Sequence, residues 1–99
     1  MSVIIGEIET FPETHADKAQ VLKILEESAE VFSAYESYAG AVIVEGRESV
    51  ASCASRTALV SECADVIQAV SNLLDALGVH DMTNAMERCR QRNHDRGRM

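Results

Sequence analysis

Two long stretches of this chain repeat apolar residues at every third or fourth position, and that rhythm restricts the fold more than any other feature. In the first, Val21, Leu22, Leu25, Ala29, Phe32 and Tyr35 mark an apolar stripe on a helix from about His15 to Tyr38. Thr14 is its expected N-cap, and Gly40 its expected end. In the second, Leu59, Cys63, Val66, Ile67, Val70, Leu73, Leu74 and Leu77 predict a helix from about Ser55 to Leu77, with Gly78 as the residue that closes it. Asp81 then caps a shorter third helix, about Met82 to Asn93, with a thin apolar edge of Ala85, Met86 and Cys89. The stretch from Ala41 to Ser55 reads as a connection, partly helical near its end, because its β-branched run AVIV has no second run to pair with. The pattern predicts an all-α fold: two long antiparallel helices plus a shorter C-terminal one, in a single domain over residues 1–99. Residues 1–13 form a lead-in and 94–99 a basic tail.

Composition agrees with helix-on-helix packing. Apolar residues make up 46% of the chain but aromatic ones only 4%, so the core has to be built mainly from Leu, Val, Ile and Ala. A chain of 99 residues buries a limited share of its surface alone, so a homodimer or homotetramer is expected. Residues 87–99 hold five arginines against Glu87 and Asp95, a net of +3, which leaves −10 on the rest of a chain whose total is −7. An acidic body repels nucleic acid polymers, so DNA or RNA binding is not expected. Cys53, Cys63 and Cys89 are odd in number, with no metal-ligand spacing, and read as reduced, mostly buried thiols of a cytoplasmic protein. No run is apolar enough for a membrane span, and MSVIIGEIET lacks the basic start of a signal peptide. His15, His80 and His94 fall in no motif and read as surface or capping residues.

The chemistry-bearing pattern is a pair of acid pairs. Glu27 and Glu30 lie in EESAE, and Glu62 and Asp65 in ECAD, each spaced i, i+3 so that both carboxylates share a helical face. Such pairs are common on wetted helices, and a solvated surface is one reading. The other is a metal site. Both pairs adjoin an apolar stripe, and no Lys or Arg occurs between Ala58 and Leu77 to neutralise the second. Packed together without a cation, four carboxylates repel one another; a divalent ion removes that penalty. Oxygen-only donors on two helices suit Mg²⁺, with Mn²⁺ as the substitute, better than zinc. Mg²⁺ in turn accepts phosphate oxygens as further ligands.

These residues resemble the MazG-like all-α nucleoside triphosphate pyrophosphohydrolases, whose pattern is ExxE, a linking stretch, then ExxD. Glu27 and Glu30 stand at the first motif, Glu62 and Asp65 at the second, with DVIQAVSNLL, ALGVHDMTNAM and RNHDRGR as further similar context over residues 18–98. The linking stretch here is longer than the family usually has. The resemblance implies Mg²⁺-dependent cleavage of a nucleoside triphosphate between its α- and β-phosphates, giving a monophosphate and pyrophosphate. It implies Glu27, Glu30, Glu62 and Asp65 as metal ligands, with one of them or Glu26 as general base. Lys23 either contacts phosphate or pairs with Glu27 one turn on, and Arg92, Asn93 and Arg96 are candidates for holding the nucleotide. Two other classes compete with this one. The chain can be a non-catalytic helical interaction module, or a nucleotide sensor that binds without hydrolysis.

Overall fold

In a computed structural model, which describes residues 1–99, the chain is entirely helical apart from its connections. Helix α1 spans Lys18–Glu45, α2 spans Val50–Ala76 and α3 spans Thr83–Asp95. The three expected helices are present, and the first two form an antiparallel hairpin. Helix α3 stands apart: none of its Cα atoms comes within 8 Å of α1 or α2.

The helix ends differ from the sequence reading for local reasons. Asp17, not Thr14, caps α1, its carboxylate accepting from the Gln20 amide at 2.9 Å. Thr14 is occupied elsewhere: its hydroxyl donates to Asp75 on α2. Gly40 does not end α1, which continues through AVIV to Glu45. A glycine inside a helix costs only about 1 kcal/mol, and Ala41 and Val42 beyond it are half-buried. The chain turns at Gly46, whose φ of 87° and ψ of 159° lie in a region that only glycine occupies readily. Ser49 then caps α2 by accepting from the Ser52 amide at 3.0 Å. Ser52 is wholly buried and donates back to the Gly46 carbonyl at 2.7 Å, so the turn is sealed by its own hydroxyls. Gly78 follows the last turn of α2 at a φ of 76°, as expected. Asp81 does not cap α3 in the usual way; its carboxylate takes the amide and hydroxyl of Thr83 at 2.9 and 2.6 Å.

The faces of the hairpin are the main surprise. The apolar stripe of α1 was expected to form the core, yet Leu25 is 66% and Phe32 64% exposed. The one buried side chain on α1 is Glu27. On α2 the buried residues are Ser52, Ala69 and Asn72, and the only buried apolar residue in the chain is Ala69. The buried residues of the two helices are thus small or polar, while the α1 stripe lies exposed and Leu59, Val66, Ile67, Val70, Leu73 and Leu74 of α2 are half-buried. Cys53 and Cys63, expected to be mostly buried, are exposed because they fall away from the helix pair.

The lead-in is held against α2. The Phe11 amide donates to Asn72 Oδ1 at 3.1 Å, and Gln68 Nε2 to the Glu9 carbonyl at 3.0 Å. Asp75 secures this segment, and its carboxyl is held below its ordinary value first by the Thr14 hydroxyl and then by His80, whose Nε2 lies 2.7 Å away.

Three variants test these contacts. Gly46→Ala forces a side chain into the glycine-only region and should cost about 1–3 kcal/mol in urea denaturation. Gly40→Ala, with nothing within 4 Å of the added Cβ, should stabilise by roughly 0.5–1 kcal/mol. The folded state lowers the Asp75 pKa, so its contribution is present above the ordinary carboxylate range and is lost as pH falls through the lowered value. The urea midpoints of wild type and Asp75→Asn should therefore differ near neutrality and converge on acidification.

Candidate functional site: a four-carboxylate cluster and its polar cavity

Antiparallel pairing of α1 and α2 places the two acid pairs at one level of the hairpin. One carboxylate oxygen from each of Glu27, Glu30, Glu62 and Asp65 lies within 4.8 Å of the others. Glu27 is buried and Glu62 half-buried, while Glu30 and Asp65 open to solvent. The cluster thus has a closed floor and an accessible rim.

Its electrostatics are unbalanced. Lys23 Nζ lies 2.9 Å from Glu27 Oε1, the i, i+4 ion pair that the spacing allowed. That hydrogen bond is the main reason the Glu27 carboxyl falls below its ordinary value. Glu30 moves the other way: the charge of Glu27, then the closeness of the Glu27 and Glu62 carboxylates, which favours a proton on Glu30, raise its proton affinity. Glu27 Oε2 and Glu62 Oε2 are both buried with no hydrogen-bond partner. A buried carboxylate oxygen without a donor is costly. Two of them in one cluster are the observation that fits a cation to it. All four donors are carboxylate oxygens, the set that suits Mg²⁺ or Mn²⁺.

A cavity of about 240 Å³ adjoins the cluster and shares Glu27 and Asp65 with it. Phe11, Gln20, Lys23, Gln68, Ala69 and Asn72 complete its lining. Three amide side chains here are partly committed. Gln20 Nε2 donates to the Ala69 carbonyl at 2.9 Å, and Gln68 Nε2 donates to Asn72 Oδ1 at 3.0 Å. These bonds fix the amide planes and leave the Gln20 and Gln68 carbonyl oxygens and the Asn72 amino group without side-chain partners. The cavity therefore offers both acceptors and donors, beside an aromatic ring and an ammonium group.

Not every residue singled out in the sequence reaches this place. Glu26 is exposed and lies outside the cluster. Arg92 and Asn93 lie on α3 and Arg96 is its C-cap, apart from the hairpin of their own chain. Asn93 accepts from Arg98 at 3.3 Å, a contact within the C-terminal end itself. Conversely, Phe11, Gln20 and Gln68 line the cavity but carried no sequence signal as site residues, because they meet only through folding. Asn72 gave a partial one: it shares the Glu62, Asp65, Ala69 stripe.

Metal binding gives two checks. Mg²⁺ or Mn²⁺ should raise the thermal midpoint of the wild type, a ligand at a hundred times its Kd contributing about 2.7 kcal/mol, and Glu62→Gln should abolish the rise. Without metal, Glu30→Gln should melt higher than wild type. The folded state raises the Glu30 pKa, so ionising Glu30 destabilises the fold, and the gap should widen as pH rises through the raised value.

Comparison of the chain with protein-family models, with curated proteins and with solved structures finds no match.

Proposed function

We propose that this chain is a Mg²⁺-dependent nucleotide pyrophosphohydrolase of the MazG-like kind, cleaving a nucleoside triphosphate to a monophosphate and pyrophosphate. One observation carries the reading: four carboxylates converge within 4.8 Å, two with buried unpartnered oxygens, beside a polar cavity. A patch of solvated acids would leave every oxygen in water, and this cluster does not.

Glu27, Glu30, Glu62 and Asp65 would hold the ion. A divalent ion bound there supplies Lewis acidity toward phosphate oxygens and charge neutralisation for a polyphosphate. The remaining work falls to the protein's own groups. Lys23 lines the cavity next to Glu27, where its ammonium can meet a phosphate oxygen without leaving the ion pair. Glu30 and Asp65, the solvent-facing pair, are the carboxylates a solvent water can reach, and so the available acceptors for its proton. Attack at the α-phosphorus breaks its bond to the bridging oxygen, and pyrophosphate departs with that oxygen. Phe11 gives a face on which a planar base can rest, and the Gln20, Gln68 and Asn72 amides can bond its polar edge.

A coupled phosphate-release assay with added pyrophosphatase, run with Mg²⁺ over canonical and modified nucleoside triphosphates, tests the proposal. Turnover is expected on at least one substrate, with a loss of at least about a hundredfold in Glu62→Gln and no change in its helical circular dichroism. Asn72→Ala should raise KM more than it lowers kcat. No turnover on any substrate would overturn the enzymatic reading, and tight nucleotide binding without pyrophosphate release would mark a sensor instead. A helical interaction module predicts a melting temperature indifferent to Mg²⁺.

A further inference from the structure

We propose that the polar cavity beside the four acids selects guanine among the nucleobases, through the side-chain amides of Gln20, Gln68 and Asn72. This inference rests on the nucleotide reading of the same site and goes further by naming the base.

The three amides cannot be turned around. Each bonds a backbone group whose role is fixed, since a carbonyl only accepts and an N–H only donates. Gln20 Nε2 donates to the Ala69 carbonyl at 2.9 Å, and Gln68 Nε2 to the Glu9 carbonyl at 3.0 Å. Asn72 Oδ1 accepts from the Phe11 amide at 3.1 Å, and also from Gln68 Nε2 at 3.0 Å. Exchanging N for O in any of the three would set like groups against each other. The groups left over follow directly. Gln68 presents an oxygen, Asn72 an amino group, and Gln20 an oxygen beside one remaining N–H.

Asn72 shows that this leftover set is open to a ligand. The residue is only 4% exposed. Yet the sealed side-chain atoms without a partner are Glu27 Oε2 and Glu62 Oε2 alone, so the unpartnered Asn72 amino group opens onto the cavity that Asn72 lines. A free donor on a buried side chain marks a place for an acceptor.

Two acceptors and one donor complement one natural base. A base is read along its Watson–Crick edge while its face is stacked. On that edge guanine carries two donors, N1–H and the 2-amino group, and one acceptor, O6. Cytosine, uracil and thymine each carry one donor and two acceptors, and adenine one of each. Turning the Gln20 N–H inward would suit cytosine, but the local charge opposes it. Glu27 and Asp65 outnumber Lys23 in the lining and favour an edge rich in N–H groups. The cavity, about 240 Å³, is smaller than the roughly 300–1,000 Å³ that encloses a whole drug-sized ligand. It suits a planar base on the Phe11 ring, with sugar and phosphates lying toward the acids.

The test is calorimetric titration of the full chain with nucleoside monophosphates, alongside kcat/KM for the matching triphosphates with Mg²⁺. Guanosine monophosphate should bind at least about tenfold more tightly than its adenosine, cytidine and uridine counterparts. Inosine monophosphate, which lacks only the 2-amino donor, should lose at least about fivefold against guanosine. Asn72→Asp keeps the oxygen that holds Phe11 and exchanges the donor for an acceptor, so it should erase the preference for guanosine over adenosine. Should that variant fail to fold, the inosine comparison changes only the ligand and still decides the matter. Equal binding of all bases, a preference for cytidine, inosine binding as well as guanosine, or a guanosine preference that survives Asn72→Asp would each overturn the proposal. So would the absence of any guanine preference in both readouts. Turnover of every base alike would uphold the enzymatic reading and sink this one, whereas guanosine-selective binding without pyrophosphate release would do the reverse.

Discussion

The burial of Glu27 at the seam between α1 and α2, across from Glu62, is the constraint on which the rest of the structure depends. A carboxylate taken out of water is costly unless each oxygen finds a partner. Lys23 answers one oxygen of Glu27, and the other has none. The seam makes room for these acids by using small and polar residues elsewhere: Ser52, Ala69 and Asn72 are the buried residues of α2. A hairpin closed in this way spends little of its apolar content on its own interior. On α1, Val21, Leu22, Leu25 and Phe32 are left exposed beside the seam.

The cavity beside the acids is lined by the lead-in as well as by the two helices. Phe11 reaches the cavity because its backbone amide is tied to Asn72, and the same segment is pinned by the Thr14 hydroxyl on Asp75. The residue that orders the lead-in, Asn72, also lines the cavity next to the acids. Anchoring and site formation therefore draw on one stripe of α2.

Much of the fold was legible because helices announce themselves locally. The three-and-four spacing of apolar residues located all three helices, and Gly78 ended α2 where its left-handed φ allowed. The boundaries that moved did so for tertiary reasons. Thr14 could not cap α1 while its hydroxyl was bonded to Asp75, 61 residues away. The AVIV run became helix because Ala41 and Val42 lie against the rest of the hairpin, which outweighs a weak β preference. The four acids were equally legible, since i, i+3 spacing within a helix dictates that each pair shares a face. The amides Gln20 and Gln68 were invisible, because nothing in their own neighbourhoods distinguishes them from any other glutamine on a helix.

By itself, the sequence determined the elements and the pairing of acids within each helix, because both follow from backbone periodicity over a few residues. Only the tertiary structure decided which side of each helix turned inward. Periodicity defines an apolar stripe but not the surface that will cover it: on α1 the acid Glu27 is buried while Leu25 and Phe32 are exposed, and on α2 the apolar stripe is only half-buried. It also decided that four carboxylates from residues 27 to 65 share one place, that the lead-in forms a wall of it, and that α3 stands off. These are long-range choices, fixed by how two helices pack and by which buried polar groups find partners when they do.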